Sequence, residues 1–172
     1  MNMLKDLDTG KKTPDEINVV VEVPKGSRNK YEYDKEKGVF FLDRVLRSPF
    51  HYMGDYGFVP RTLCGDGDPL DVIVLVDEPS FAGCVINARP VAVLITEDNK
   101  GTDEKVLAVP VDDARYDEMT GMETIPKHIL KEMAHFFEQY KALEKGKWVK
   151  VAGWKNAEEA KKLIKAAMKA FK

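Results

Sequence analysis

The segment Asp66-Gly67-Asp68-Pro69-Leu70-Asp71 sets three carboxylates at i, i+2 and i+5, directly ahead of the apolar run Val72 to Val76. Fully extended, the outer pair would stand about 16 Å apart at ~3.3 Å per residue, so the loop must curl if all three are to serve one site. Gly67 can adopt positive φ, and Pro69 fixes its own φ near about −65°, which suits a curl. Converging carboxylates repel one another unless hard cations lie between them, and oxygen ligands of this kind suit Mg²⁺ or Mn²⁺. Taken alone, the same spacing also describes an acidic surface turn.

Two other readings of the loop fail on their own terms. An EF-hand beginning at Asp66 needs Gly at its sixth position and Glu at its twelfth, where Asp71 and Asp77 stand. A phosphotransferase of the haloacid dehalogenase type carries its DxD after a hydrophobic strand, whereas here Thr62-Leu63-Cys64-Gly65 precedes the acids and the strand follows. A P-loop and a GxGxxG are absent.

Further charges fall where strands should be apolar. Glu22 sits between Val21 and Val23, Arg44 alternates onto a face with Phe40, Leu42 and Leu46, and Lys30, Glu32 and Asp34 alternate against Tyr31 and Tyr33. A lone buried charge costs several kcal/mol, so such residues lie on a wet face or are paired. Each alone reads as an exposed position on an edge strand. Glu22 and Arg44 together predict an interior that is polar on purpose, the charged mouth or lumen of a barrel where a charged ligand binds. The stretch Glu97-Asp98-Asn99-Lys100-Gly101-Thr102-Asp103-Glu104-Lys105 reads as a solvated hairpin loop. His51, His128 and His135 show no clustered spacing and read as structural or surface groups.

The elements that must position these residues follow from patterning. Short β-branched segments run from Ile17 to Val23, Val39 to Leu46, Asp71 to Val76, Val85 to Ile95 and Lys105 to Val111, each bounded by Gly, Pro, Asp or Asn. Ile129, Met133, Phe136, Tyr140 and Leu143 form one helical stripe, with Gly146 as its stop. A second helix opens on Asn156 with Glu159 three residues on, and buries Ala160, Leu163, Ile164, Ala167, Met168 and Phe171. Its lysines at 161, 162, 165, 169 and 172 make the wet face. Strands first and helices after predict an α+β fold, a five-stranded β-barrel with flanking helices, over a single domain spanning 1–172. A chain of 172 residues is long enough for a core that needs no disulfide or zinc. No apolar run approaches the ~20 residues of a membrane span. A pI near 6.0 disfavours generic attraction to nucleic acid or anionic lipid. Cys64 and Cys84 read as reduced thiols, and the polar N-terminus lacks a signal-peptide core, so a cytoplasmic location is expected.

Taken in order, these segments resemble the soluble, magnesium-dependent family I inorganic pyrophosphatases in their short form. The resemblance rests on Glu22 in Val-Glu-Val-Pro, Lys30-Tyr31-Glu32, Asp43-Arg44, Tyr52 with Asp55-Tyr56-Gly57, and the Asp66 to Asp71 loop. It continues through Asp98, Asp103 and Lys105, through His135 to Lys141, and through Lys147-Trp148-Val149-Lys150-Val151. Met53-Gly54 and Asn99 depart from the pattern of many members, and beside Asn99 the ligand in that loop is either Asp98 or Glu97.

The resemblance implies an OB-like barrel, hydrolysis of diphosphate to two orthophosphates, three to four Mg²⁺ per site with substrate, and a homohexamer. It implies Asp66, Asp71 and Asp103 as ligands of the activating metals, and Asp98 and Glu22 as ligands of the metals that arrive with substrate. It implies attack by a metal-bound hydroxide, with Asp68 as general base and Tyr56 close enough to tune it. Lys30, Arg44, Tyr56, Tyr140 and Lys141 would bind substrate, Lys105 would support them, and Glu32 would orient Lys30 or a water. Charge counting agrees with a polyanion held by metals. The seven carboxylates among these residues outnumber the four cations by three, and diphosphate adds roughly −3 to −4, so a metal-free pocket would repel its substrate. Two competing functions share parts of this pattern: a metal-dependent hydrolase of organic phosphates, and a barrel that binds nucleic acid, whose expected basic, aromatic-studded face is missing.

Overall fold

The computed structural model describes residues 1–172. Strand β1 (Ile17–Val23) is followed by β2 (Asn29–Asp34), β3 (Val39–Val45), β4 (Asp55–Phe58), β5 (Asp71–Val74), β6 (Val85–Asp98) and β7 (Gly101–Pro110). Helix α1 (Lys127–Gln139), strand β8 (Val149–Asn156) and helix α2 (Ala157–Ala170) complete the chain. The result is a mixed α+β fold with a mostly sheet core and two helices. No helix is long and apolar enough to cross a membrane.

Six strands pair in the order β1-β4-β5-β7-β6-β8, and β6 pairs a second time, with β1. Only the β5–β7 pair is parallel, and it sets Asp71 opposite Lys105. Alternation along these strands sends neighbouring side chains into different cores, as a pleated strand buried on both faces must. Val72, Val74, Val106 and Ala108 pack with Ile17, Val19 and the α2 residues Ala160, Ile164 and Ala167. Ile73, Leu107 and Val109 pack instead with Val23, Tyr52, Tyr56 and the α1 residues Met133, Phe136 and Phe137. Strand β4 comes so close to β1 that a Cβ on Gly57 would stand 1.9 Å from the Val20 carbonyl oxygen, so only glycine fits there.

Strands β2 and β3 form a separate two-stranded sheet. Arg44 is therefore not on a strand of the six-stranded sheet that carries Glu22, although the two residues line one cavity. Arg44 belongs to this hairpin, whose Tyr33 and Phe40 pack against Val20 and Phe58 while Phe41, Leu42 and Val45 are exposed. The hairpin reaches β1 through the Tyr33 amide, which donates to Glu22 Oε1 at 2.7 Å.

Other boundaries shift. The strand expected to begin at Lys105 starts at Gly101, and β6 runs on to Asp98, so the acidic stretch between them is ladder rather than loop. Helix α1 stops at Gln139, and Leu143 is exposed instead of continuing the stripe. Beyond Tyr140 the backbone folds into short turns, with Ala142 N–H donating to Gln139 O and Glu144 N–H to Lys141 O. Helix α2 begins as expected, the Asn156 side chain accepting from the Glu159 amide at 3.1 Å. The Glu159 carboxylate does not complete a capping box but pairs with Lys162 at 2.6 Å.

Candidate active site

The parallel register of β5 and β7 encloses a lysine between two carboxylates. Asp103 lies two residues before Lys105 on the same face of β7, and Asp71 faces Lys105 from β5. Lys105 is 2% exposed. Its Nζ lies 2.8 Å from Asp71 Oδ2, 3.0 and 3.2 Å from the two Asp103 oxygens, and 3.4 Å from the Tyr56 hydroxyl. It also sits 5.5 and 5.3 Å from the ring centroids of Tyr56 and Phe137, within cation–π range. Burial opposes the ammonium charge, yet Asp71 and Asp103 carry Lys105 well above the usual lysine range. The buried Tyr56 hydroxyl donates to Asp71 Oδ2.

The acidic loop between β4 and β5 does curl. Gly67 adopts φ +88°, Asp66 Oδ1 accepts the Asp68 amide at 3.0 Å, and the Cys64 amide donates to Asp68 O at 2.8 Å. Asp66 and Asp68 are exposed at the rim. Lys35, in the β2–β3 turn, donates to Gly67 O at 3.1 Å and stands 3.7 Å from Asp68 Oδ1.

Around the opposite wall, three cations are matched to carboxylates. Lys30 bonds Glu32, Lys141 approaches Asp98 at 3.3 Å, and Arg44 pairs with Asp43 and, at 2.9 Å through Nε, with Glu144. Burial pushes Glu22 up to about 7, against the Tyr33 amide and Lys30, which favour its anion. Burial also raises Asp103, and Asp71 adds to that rise while Lys105 opposes it. Asp98 is held below the usual carboxylate range against its burial by the Lys100 amide and Lys141.

A single cavity of about 500 Å³ is lined by all of the residues singled out in the sequence: Glu22, Lys30, Glu32, Arg44, Tyr56, Asp66, Asp68, Asp71, Asp98, Asp103, Lys105, Tyr140 and Lys141. One expected contact is not made: the Tyr56 hydroxyl serves Asp71 rather than Asp68, because β4 and β5 are neighbours and Tyr56 lies opposite Ile73, two residues on from Asp71. Glu97 does not line the cavity, whereas Asp98 does. Lys35, Glu144, Asn99 and Lys147 also line it and were not anticipated. Lys35 sits in an ordinary-looking turn, and Glu144 meets Arg44 across a hundred residues of chain, so neither leaves a local signal.

The donor set fits hard divalent cations by chemistry, since carboxylate oxygens dominate the cavity and exceed its cations. No three acidic, His or Cys side chains are gathered closely enough to hold an ion as they stand. Asp71 and Asp103 converge instead on the Lys105 ammonium.

With this geometry in hand, comparison with known proteins is direct. The protein-family model described as inorganic pyrophosphatase matches residues 19–172. An inorganic pyrophosphatase of Haloferax volcanii is 51% identical over 168 residues, covering 98% of this chain and 95% of that protein. One of Agrobacterium fabrum is 50% identical over 169 residues, covering 96% of each. The crystal structure of inorganic pyrophosphatase from Thermus thermophilus superposes with a TM-score of 0.97 at 46% identity, covering 99% of both chains.

Proposed function

The chain belongs to the inorganic pyrophosphatase family, and from that premise we propose that its shared cavity is where diphosphate is hydrolysed to two orthophosphates. It is an enzyme, a diphosphate hydrolase. The observation that carries the assignment to this cavity is the convergence of acidic and basic side chains from β1, the β2–β3 hairpin, the loop before β5, the β6–β7 turn and the segment after α1.

Divalent cations bound here would neutralise phosphate oxygens and lower the pKa of water. Asp66, Asp71 and Asp103 would hold the activating ions, and Asp98 and Glu22 those that accompany substrate, three to four Mg²⁺ in all. Tyr56 fixes one Asp71 oxygen through its hydroxyl, so its role is to orient Asp71. Asp68, exposed at the rim, has carboxylate oxygens open to water and takes the proton of the attacking water as general base. Lys30, Arg44, Tyr140 and Lys141 hold the phosphate oxygens. For this the three cations must exchange Glu32, Glu144 and Asp98 for substrate.

The cycle of pairings β1-β4-β5-β7-β6-β1 supports reading the sheet as the five-stranded OB-like barrel expected from the sequence. The exposed apolar residues of β3 support self-association, for which we propose the homohexamer. Phosphate release measured with Mg²⁺ from diphosphate, a nucleoside triphosphate and a phosphomonoester tests the substrate. Diphosphate should be strongly preferred, and a preference for the monoester would overturn the proposal.

A further inference from the structure

We infer that Lys105 is an internal counter-ion, which holds Asp71 and Asp103 together while no divalent cation is bound and competes with cations for the same two carboxylates. The inference rests on the reading that these two carboxylates are cation ligands. It gives Lys105 a different task from holding phosphate. Its Nζ is turned toward Asp71 Oδ2 and both oxygens of Asp103, and lies within cation–π range of the Tyr56 and Phe137 rings. A lysine aimed at substrate would present its ammonium to the open part of the cavity, yet this side chain is 3% exposed.

The physical need is plain from the register. Asp71 is set opposite Lys105 on parallel neighbours, and Asp103 lies two residues before Lys105 along β7, so both carboxylates are brought to one ammonium by the backbone. Two carboxylates fixed this close repel each other in a partly desolvated site, and removing the ammonium would leave both unpaired. A doubly charged cation entering between them supplies the same attraction but must displace the ammonium first. Lys105 therefore stabilises the cation-free fold and, by the same interaction, weakens cation binding.

Melting by calorimetry in chelator and in saturating Mg²⁺, with Mg²⁺ titrations at fixed pH, tests this on the parent, Lys105→Met and Lys105→Arg. In chelator, Lys105→Met should melt about 10 °C lower than the parent, as expected when one partner of a buried ion pair is removed. Mg²⁺ should restore much of that loss, and its dissociation constant should fall at least about tenfold. Lys105→Arg keeps the charge and should track the parent in Mg²⁺ affinity. Adding Asp103→Asn to Lys105→Met should recover part of the lost melting temperature in chelator, because one orphaned carboxylate is gone.

If the parent gains stability from Mg²⁺ but Lys105→Met gains no more than the parent, the counter-ion role is wrong while the cation-ligand reading stands. If neither responds to Mg²⁺, the cation-ligand reading fails and takes the inference with it. A Lys105→Met protein that stays unfolded with Mg²⁺ and with Asp103→Asn would show that packing alone fixes this side chain, and the inference would fall.

Discussion

Glu22 offers a sharp test of the electrostatics, because burial pushes its folded pKa up to about 7 from an ordinary 4.5. The group binds more protons folded than unfolded between those values, so its contribution favours folding at low pH and is lost as pH rises through about 7. At about 1.36 kcal/mol per pH unit, the metal-free protein at pH 8 carries a penalty of about 3 kcal/mol relative to a chain with no titrating group here, falling below about 1 kcal/mol at pH 5. Glu22→Gln removes the titration while keeping an oxygen for the Tyr33 amide. For a domain of this size each kcal/mol moves the melting temperature by roughly 2–4 °C, so the variant should melt about 6–12 °C above the parent at pH 8 in chelator, with the gap closing toward pH 5. Differential scanning calorimetry from pH 5 to 9 measures this directly. A gap that is absent, reversed or constant with pH would refute the account of Glu22 as a carboxylate held against its own desolvation. With Mg²⁺ added the advantage should shrink, since a bound cation stabilises only the parent's anion.

Three further outcomes are expected. Asp68→Asn should cut kcat by at least about a hundredfold while leaving Mg²⁺ affinity within a few-fold, whereas Asp71→Asn should damage both; matched losses in Asp68→Asn would make Asp68 a ligand instead of a base. Gly57→Ala should lower the melting temperature by at least about 10 °C or leave the protein insoluble, because its Cβ would occupy the space of the Val20 carbonyl, and a parent-like melt would contradict the strand spacing. Asn99 joins the β6–β7 turn to the segment after α1, its amide donating to Gly146 O at 3.2 Å and its oxygen accepting the Trp148 amide at 3.3 Å. Asn99→Ala should raise KM for diphosphate about fivefold with kcat within about twofold; a fall in kcat alone would remove Asn99 from a positioning role.

What was legible in the sequence was what local chemistry determines. The curl at Gly67, the Asn156 cap, and the β-branched runs of β1, β5, β6 and β7 each follow from residues within a few positions of one another. Strand β4 is only four residues long, its two aromatics alternating with Asp55 and Gly57, and β8 breaks its opening alternation at Ala152 and Gly153, so neither makes a β-branched run. Only pairing with β1 and β5, or with β6, makes them strands. The partners of the cations were hidden for a related reason. Arg44 finds Glu144 and Lys141 finds Asp98 across 100 and 43 residues, so their identities depend on how separate segments dock. Sequence motifs placed every one of the proposed site residues on one cavity without revealing which charge would face which.

That pairing has a consequence for the order of events. With Lys30, Arg44, Lys105 and Lys141 each already on a carboxylate and further carboxylates in excess, diphosphate alone must separate ion pairs while adding roughly −3 to −4 of charge. Divalent cations would change the exchange: a cation that takes Asp98 would free Lys141 for phosphate, and its charge would offset the repulsion between diphosphate and the remaining carboxylates, so each partner's binding would remove an obstacle to the other's. Coupling of this kind is reciprocal, and diphosphate should tighten cation binding by the factor by which cations tighten diphosphate. Calorimetric titration in chelator should therefore show no measurable diphosphate binding, and titration with Ca²⁺, chosen to slow turnover, should show strong binding. Comparable affinity in both conditions would mean that Lys30, Arg44 and Lys141 receive phosphate without giving up their carboxylates, and the exchange described here would not occur.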